Sequence, residues 1–315
     1  MNARAWAELL RVSALFTVPG DALAGAAAVG ARPGRGTALA VGASLCLYEA
    51  GMALNDWADR AEDARERPHR PIPSGRISPT AALAAAGGLT AAGLALAARA
   101  GRPALAVGSA LAATVWSYDL WLKHTPAGPA AMGAARALDL LLGATATAHG
   151  TAPAGAAEAA RIRAALPSAA LLGGHTVAVT TVSRRETQGG STAAPLAALA
   201  VTGALGASVA RRRSPAPAPG GTTTTPPGTT ARSVAGSVLT TALAAVYAGT
   251  AGRPLLHAAL NPSPPLTQRA VGGGIRAMIP LQAALAARGG ATGIALGVMG
   301  LVPAARTLAR RVSPT

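Results

Sequence analysis

The chain contains few cysteine, lysine, aromatic and acidic residues. Its 315 residues include one cysteine (Cys46) and one lysine (Lys123), and aromatic side chains make up 3%. A single cysteine excludes an intrachain disulfide and a metal site built from several cysteines. The formal net charge is +16, but the arginines are scattered at the ends of apolar runs and few aromatic rings are present for base stacking. A nucleic-acid partner is therefore not expected.

Apolar residues dominate the composition. They make up 50% of the chain, charged residues make up 13%, and the mean hydropathy of +0.36 favours a membrane protein. Ten apolar segments each approach the roughly 17 to 25 residues that cross a bilayer as a helix. These segments are 12–30, 37–54, 79–98, 103–122, 129–148, 164–182, 191–209, 234–251, 268–287 and 291–308. We therefore predict an all-α, polytopic transmembrane helical bundle of nine or ten spans, surrounded by membrane lipid.

The whole chain, 1–315, is expected to form a single transmembrane domain. Residues 211–230 form a Pro/Thr/Gly-rich tract with too little apolar surface to order itself, so a disordered loop is predicted there. Alternation of the spans places loops 55–78, 123–128 and 183–190 on one side of the membrane. The positive-inside rule assigns that side to the cytoplasm, although the three arginines at 211–213 would then lie outside.

The acidic residues are concentrated between the second and third spans. Five of the twelve lie within eleven positions: Asp56, Asp59, Glu62, Asp63 and Glu66. Asp56, Asp59 and Asp63 are spaced i, i+3 and i+7, so a continuous helix would carry them on one face. Like charges on one face repel unless a cation neutralises them, and carboxylate oxygens suit Mg²⁺. The alternative is a solvated helix end that merely flanks a membrane span.

Arginines follow the acidic cluster at once, at Arg65, Arg67, Arg70 and Arg76. Guanidinium groups match the geometry of phosphate oxygens. Carboxylates that hold a metal, followed by arginines that hold an anion, indicate a metal-diphosphate site. One acid lies elsewhere in an apolar segment: Asp21 either caps a helix after the Pro19-Gly20 break or faces the interior of the bundle.

The motif Asn55-Asp56-x-x-Asp59-x-x-x-Asp63, followed by Arg-Pro-His-Arg-Pro-Ile-Pro-Ser-Gly at 67–75, resembles the first aspartate-rich motif of the UbiA superfamily of intramembrane prenyltransferases. Leu-Lys-His-Thr at 122–125, Gly-Pro at 128–129 and Met-Gly-x-x-Arg at 132–136 are similar to UbiA-like proteins of bacterial ebo-type gene clusters. The resemblance covers about Arg11 to Gly190. It implies a bundle of about nine helices around a cavity, in a bacterial inner membrane, with the acidic loops on the cytoplasmic side.

The resemblance also implies roles for individual residues. Asp56, Asp59 and Asp63 would hold Mg²⁺, with Asn55 on the metal waters or the diphosphate. Arg67, Arg70 and Lys123 would contact diphosphate oxygens. The expected activity is transfer of a prenyl group from its diphosphate to a lipophilic acceptor, either aromatic or lipid-like.

Three departures from the resemblance matter. The family often has a tyrosine four residues before the loop lysine, where this chain has Asp119, with Tyr118 one position earlier. The second acidic motif of the family would fall at 183–190, where Glu186 is the single carboxylate. Asp139 stands where asparagine is expected. Glu186 is assigned a catalytic role with the three aspartates, but one carboxylate also favours an alternative function. In that alternative, the protein is a non-catalytic relative that binds or moves a polyprenyl or lipid ligand.

Overall fold

The computed structural model of the chain describes residues 3–149, 155–186, 189–211 and 229–312. Within these ranges every regular element is a helix, which confirms the predicted all-α class. The α-helices are, in chain order, α1 Ala3–Leu9, α2 Pro19–Ala28, α3 Arg35–Ala58, α4 Arg60–Glu66, α5 Pro79–Ala100, α6 Arg102–Ser117, α7 Gly128–Ala148, α8 Ala156–Ser183, α9 Ala193–Ala210, α10 Thr229–Leu260, α11 Pro264–Arg288 and α12 Thr292–Val312. A 3-10 helix, Val12–Thr17, precedes α2, and a π-helical stretch, Tyr118–Leu122, continues α6.

Each of the ten predicted apolar segments coincides with helical structure. In the part of the chain that the structure describes, six helices are long and apolar enough to cross a membrane: α3, α5, α8, α9, the Val234–Leu260 part of α10, and α11. Leu15–Ala28 and Thr292–Pro303 are apolar but shorter. The predicted polytopic arrangement agrees with these helices, whereas the number of nine or ten spans stays a prediction.

Local sequence signals account for where several helices begin. Proline stands in the first turn of α2, α5, α6, α7 and α11, where its missing N–H would have no helical partner. At the start of α5 the Ser78 hydroxyl also accepts a hydrogen bond from the Ala81 N–H at 3.2 Å. Gly101, between α5 and α6, has a φ of 132°, a conformation that a side chain would strain.

Small residues allow the helices to pack closely. A Cβ atom on Gly133 of α7 would lie 2.8 Å from the carbonyl oxygen of Gly173 in α8, too near for any residue but glycine. Such contacts are typical of membrane helices, which associate through small residues rather than through the hydrophobic effect. The Ala- and Gly-rich composition of the spans therefore serves packing.

Helix α11 lies at the centre of the bundle. Every residue from Ala277 to Ala287 is buried, and the helix packs against α2, α8, α9, α10 and α12. Helices α3, α5, α6 and α7 pack together on the other side of α2, and they carry most of the residues described below. The loop predicted to be disordered, 211–230, lies outside the described residues except at its ends.

Candidate active site

The acidic segment predicted as one helix is divided at Asp59. Helix α3 ends at Ala58, Asp59 has φ −86° and ψ 1°, and α4 begins at Arg60. Hydrogen bonds of helical spacing continue across the break, from the Asp59 N–H to the Asn55 carbonyl (2.9 Å) and from the Asp63 N–H to the Asp59 carbonyl (2.8 Å). The three aspartates thus keep their spacing, but the following contacts separate them into two groups.

Asp56 and Asp63 share an arginine. Arg70 Nη1 lies 2.7 Å from Asp63 Oδ2 and 3.4 Å from Asp56 Oδ1. Arg11 lies 3.3 Å from Asp56, and Arg67 lies 3.5 Å from Asp63. Both carboxylates are buried, and a buried carboxylate is tolerated only when it is paired and hydrogen-bonded. These arginines neutralise two of the predicted metal ligands.

Asp59 has different partners. It forms an ion pair with Lys123, and His124 Nε2 lies 4.0 Å from the same carboxylate. The ligand atoms of Asp59, Glu62 and His124 all lie within 4.8 Å of one another. Carboxylate oxygens are the protein ligands that Mg²⁺ prefers, usually one or two of them with substrate phosphates. This group therefore fits a divalent ion. Asp59 belongs to it, whereas Asp56 and Asp63, the other two predicted metal ligands, do not.

Asn55 is held by a buried acid. Its side-chain nitrogen donates a hydrogen bond to Asp119 Oδ1 at 3.1 Å, and Asp119 is buried. Because the amide nitrogen is engaged by Asp119, the amide oxygen of Asn55 is left to accept from other groups. Both residues line the cavity described next.

A cavity of about 790 Å³ joins these groups. Six of the eight predicted site residues line it, and they come from both acidic loops and from the start of the loop 123–128: Asn55, Asp59, Arg67, Arg70, Lys123 and Glu186. Asp56 and Asp63 are adjacent to it through Arg70. Apolar side chains also line it, among them Leu47, Met52, Leu111, Val115 and Met132. The cavity therefore has a charged mouth, and its walls combine apolar side chains with a few polar ones.

The second loop meets the first acidic segment at this mouth. Burial raises the pKa of the Glu186 carboxyl, and the positive charge of Arg67 acts in the opposite direction. Arg184, two residues earlier, donates a hydrogen bond to the Thr125 carbonyl oxygen and also lines the cavity. Residues separated by more than a hundred positions thus converge on one site.

A second charged group lies inside the bundle. Arg136 Nη1 contacts Asp21 Oδ2 at 2.6 Å, and Gln282 Nε2 donates to Asp21 Oδ1 at 2.6 Å. Asp21 is fully buried, and the N-cap residue of α2 is Val18. Of the two interpretations of Asp21, the interior-facing one is confirmed. This pairing connects α2, α7 and α11.

The charged group extends to the wall of the cavity. The Ser44 hydroxyl donates to Asp139 Oδ1, and the Arg136 guanidinium lies 5.9 Å from the centroid of the Tyr48 ring. Ser44, Tyr48, Arg136 and Asp139 all line the cavity. We call this group, together with the buried carboxylate that anchors it, the polar centre: Asp21, Ser44, Tyr48, Arg136 and Asp139.

Several of these residues were not assigned a role from the sequence. Glu62 follows Asp59 by three positions, so helical spacing was an available signal for it. Asp119 stands where the resemblance predicts a tyrosine, and no role was assigned to it. Arg11 and Arg184 are distant in sequence from the acidic segment, and only the fold brings them to the cavity.

Comparison with known proteins identifies a family and relatives that resemble this chain. The model of the UbiA prenyltransferase family matches residues 13–260. The digeranylgeranylglyceryl phosphate synthase of Methanopyrus kandleri is 38% identical over 128 residues, which cover 39% of this chain and 45% of that protein. The enzyme of the same name from Ignicoccus hospitalis is 33% identical over 165 residues, 52% of each chain. The chain thus spans about half the length of these curated relatives, which are archaeal.

Solved structures share the fold. A UbiA homolog from Archaeoglobus fulgidus bound to GPP and Mg²⁺ aligns with a TM-score of 0.57 and 15% identity, over 91% of this chain and 99% of that one. The apo structure of a UbiA homolog from Aeropyrum pernix K1 aligns with a TM-score of 0.58 and 18% identity, over 83% and 96%. Mg²⁺, the cofactor expected from the sequence, is therefore bound together with a prenyl diphosphate in a protein of this fold.

Proposed function

The chain belongs to the UbiA prenyltransferase family, and from this membership we propose that it transfers an isoprenyl group from a Mg²⁺-bound prenyl diphosphate to a lipophilic acceptor. The observation that carries the proposal is the convergence of residues from the first acidic segment, 55–78, and of Ser183, Arg184 and Glu186 from the second loop on one cavity partly lined by apolar side chains. The names of the relatives favour a lipid-like acceptor over an aromatic one. The specific likeness to proteins of bacterial ebo-type gene clusters stays a prediction.

The mouth of the cavity supplies groups for both the metal and the diphosphate. Asp59, with Glu62 and His124 beside it, is placed to hold Mg²⁺. The predicted metal role of Asp56 and Asp63 requires that their ion pairs with Arg70 open. The guanidinium released in this way would then be available to diphosphate oxygens, together with Arg67 and Lys123. When bound, Mg²⁺ neutralises the charge that develops on departing pyrophosphate.

The reaction breaks the bond between the allylic carbon and the diphosphate oxygen and forms a bond from that carbon to a nucleophilic atom of the acceptor, which loses a proton. Arg67, Arg70 and Lys123 stabilise the negative charge on the leaving group. Glu186 is proposed to act at the same end of the cavity. The apolar walls, among them Leu47 and Leu111, hold the prenyl chain and keep water away from the cation-like carbon.

One observation favours a second candidate function, a non-catalytic protein that binds or moves a polyprenyl or lipid ligand. Among the described residues of the second loop, Glu186 is the single carboxylate, and no cation lies within ion-pair distance of it. A binder needs the first acidic segment alone, whereas transfer benefits from charge on both sides of the leaving group.

Turnover in reconstituted liposomes separates the two candidates. The protein is incubated with radiolabelled GPP, Mg²⁺ and a lipid extract as the source of acceptor, and prenylated lipids are identified by mass spectrometry. A transferase yields a labelled lipid product that disappears on chelation of Mg²⁺. Saturable, Mg²⁺-dependent binding of GPP without product from any acceptor would instead establish the binder.

Accessibility labelling tests the proposed cytoplasmic orientation. Single cysteines are introduced at the exposed residues Arg32, His69 and Arg185 in a Cys46→Ser background. A membrane-impermeant reagent applied from outside is expected to label Arg32→Cys and to leave His69→Cys and Arg185→Cys unlabelled. Labelling of one of the last two positions without the other would contradict a shared site.

A further inference from the structure

Burying the ionisable residues of the polar centre inside a membrane bundle costs free energy. Asp21, Arg136 and Asp139 are ionisable residues in helices of a membrane bundle, Asp21 and Asp139 are buried, and the side chain of Arg136 is 13% exposed. Well-packed apolar residues often stabilise a protein as much as buried ion pairs do. Ionisable groups inside membrane domains are rare and usually belong to a binding site or a transport path. Because this group lies on the wall of the cavity, we expect it to contact a ligand there.

The polar centre lies deeper in the cavity than the proposed diphosphate site. Tyr48 precedes Asn55 by seven residues along α3, and Ser44 precedes it by eleven. At 1.5 Å per helical residue these separations are about 10 and about 16 Å. Apolar side chains of Leu47, Met52 and Val115 line the same cavity. A molecule held at the polar centre would therefore share the cavity with the prenyl diphosphate without occupying its site.

The charges of the polar centre restrict what can bind there. Its one guanidinium is already paired with Asp21 at 2.6 Å, and Asp139 adds a second acidic group. The other arginines and the lysine among the described lining residues belong to the mouth: Arg11, Arg67, Arg70, Lys123 and Arg184. A phosphate or carboxylate at the polar centre would face Asp139 without a cation of its own. A hydroxyl can donate to a carboxylate and accept from a guanidinium or a serine.

We propose that the polar centre binds the head of the acceptor and selects a neutral, hydroxyl-bearing head over an anionic one. The inference rests on the proposed prenyl transfer and adds the chemical class of the acceptor, a lipophilic alcohol. Asp139 accepts a hydrogen bond from one head-group hydroxyl, and Arg136, fixed by Asp21, donates one to it. A second hydroxyl of the same head, nearer the mouth, is the nucleophile: its oxygen bonds to the allylic carbon and loses its proton as pyrophosphate leaves. The arginines of the mouth remain for the diphosphate.

A matched pair of lipids tests this selection. The protein in nanodiscs, with Mg²⁺ and an unreactive thio analogue of GPP, is titrated with 1-O-hexadecylglycerol or with the same lipid carrying a terminal phosphate. The neutral lipid is expected to bind at least about tenfold more tightly. Asp139→Asn should weaken binding of the neutral lipid by about tenfold, the typical effect of losing a hydrogen bond to a charged group. GPP affinity should stay within about twofold because Asp139 lies far from the diphosphate site.

Thr145→Val is the matched control. Thr145 is buried on α7, as Asp139 is, but its hydroxyl bonds only to carbonyl oxygens of its own helix, and it does not line the cavity. Its binding of both lipids should equal that of the unmodified protein. If Asp139→Asn fails to fold, Ser44→Ala replaces it, with an expected weakening for the neutral lipid of about threefold.

Three results would overturn the proposal while GPP binding is retained: equal or tighter binding of the phosphorylated lipid, unchanged affinity of the neutral lipid in the Asp139→Asn protein, or no saturable binding of either lipid. Failure of the prenyl transferase function itself has a different signature, because Mg²⁺-dependent binding of GPP would then be missing from every form of the protein.

Discussion

The first acidic segment and the second loop reach the same cavity but are built differently. In the first segment each of the three aspartates has a cationic partner, from Arg11, Arg67, Arg70 or Lys123. In the second loop Glu186 is half-buried, and Arg67 is the cation whose charge acts on it. The carboxylates of the first segment are thus already paired, whereas the second loop brings one carboxylate, Glu186, which has no ion-pair partner among the described residues and lies near Arg184 on the cavity wall.

This difference suggests that the two parts of the site contribute differently to substrate binding and to transition-state stabilisation. Charges that hold the metal and the diphosphate from the moment of binding contribute to binding of the substrate and of the transition state alike. A lone carboxylate beside the leaving group contributes mainly where charge develops. We therefore expect substitutions in the first segment to weaken both substrate binding and turnover, and substitution of Glu186 to lower turnover alone.

The largest effect is expected for Asp59→Asn. This change removes the carboxylate shared by the Lys123 ion pair and the proposed metal group. The value of kcat/KM for GPP should fall by about a thousandfold or more, since metal affinity and transition-state stabilisation are both reduced. Isothermal titration with GPP, with and without Mg²⁺, measures the binding part.

Glu66→Gln is the control for Asp59→Asn. Glu66 is an exposed acid of α4 that does not line the cavity, and its loss should leave binding unchanged. If chelating divalent ions has no effect on GPP binding by the unmodified protein, the acidic segment is a solvated helix end, and the comparison between the two loops loses its basis.

Glu186→Gln tests the other side of the comparison. One oriented charge in a desolvated site is worth about 3 kcal/mol, or about a hundredfold in rate. Turnover should fall by that factor with GPP affinity nearly unchanged, which steady-state kinetics and equilibrium binding measure separately. Full turnover in the Glu186→Gln protein would show that the second loop takes no part in the reaction.

Arg70→Gln probes the assembly of the first segment. Arg70 contacts Asp63 at 2.7 Å and Asp56 at 3.4 Å, and its side chain is 21% exposed. Removing it leaves two buried carboxylates with weaker partners, which should lower the free energy of unfolding by about 3 kcal/mol. Thermal unfolding in detergent measures the loss. Unchanged stability would mean that the first segment does not depend on its ion pairs.

Much of the fold could be predicted from the sequence. Each apolar segment is helical in the structure, although 12–30 is divided between a 3-10 helix and α2. A run of apolar residues in a bilayer can satisfy its backbone hydrogen bonds only within itself. The structure brings residues of the first acidic motif and Glu186 of the second loop to one cavity, as the alternation of the spans led us to expect, while the roles assigned to them there stay predictions. These predictions depend on local composition and on the order of elements, which the sequence contains directly.

The remaining features depend on contacts between distant residues. Asp21 and Arg136 are separated by 115 positions, and neither belongs to a motif that names the other as its partner. The division of the helix at Asp59, where φ is −86° and ψ is 1°, and the ion pair of Asp59 with Lys123 are not apparent from helical spacing alone. The polar centre could therefore be recognised only as unexplained charges in apolar segments, as Asp21 was.

The smallest effect on stability is expected for Arg67→Gln, which tests whether the two halves of the site are coupled. Arg67 lies 3.5 Å from Asp63, and its side chain is 42% exposed, so its loss should cost less than about 1 kcal/mol of unfolding free energy. Its loss should change the pKa of the Glu186 carboxyl. Burial raises the pKa of the Glu186 carboxyl, and Arg67 opposes that rise. Without Arg67 the pKa should rise further.

Because Glu186 is proposed to act as a carboxylate, turnover of the Arg67→Gln protein should begin to fall at a higher pH, as the solution is acidified, than turnover of the unmodified protein. The measurement is the pH dependence of turnover at saturating Mg²⁺ and GPP. Glu186→Gln supplies the control, because a protein without the carboxyl group should show no such shift when Arg67→Gln is added. An identical acid limb in the Arg67→Gln and unmodified proteins would mean that the first segment and the second loop act independently.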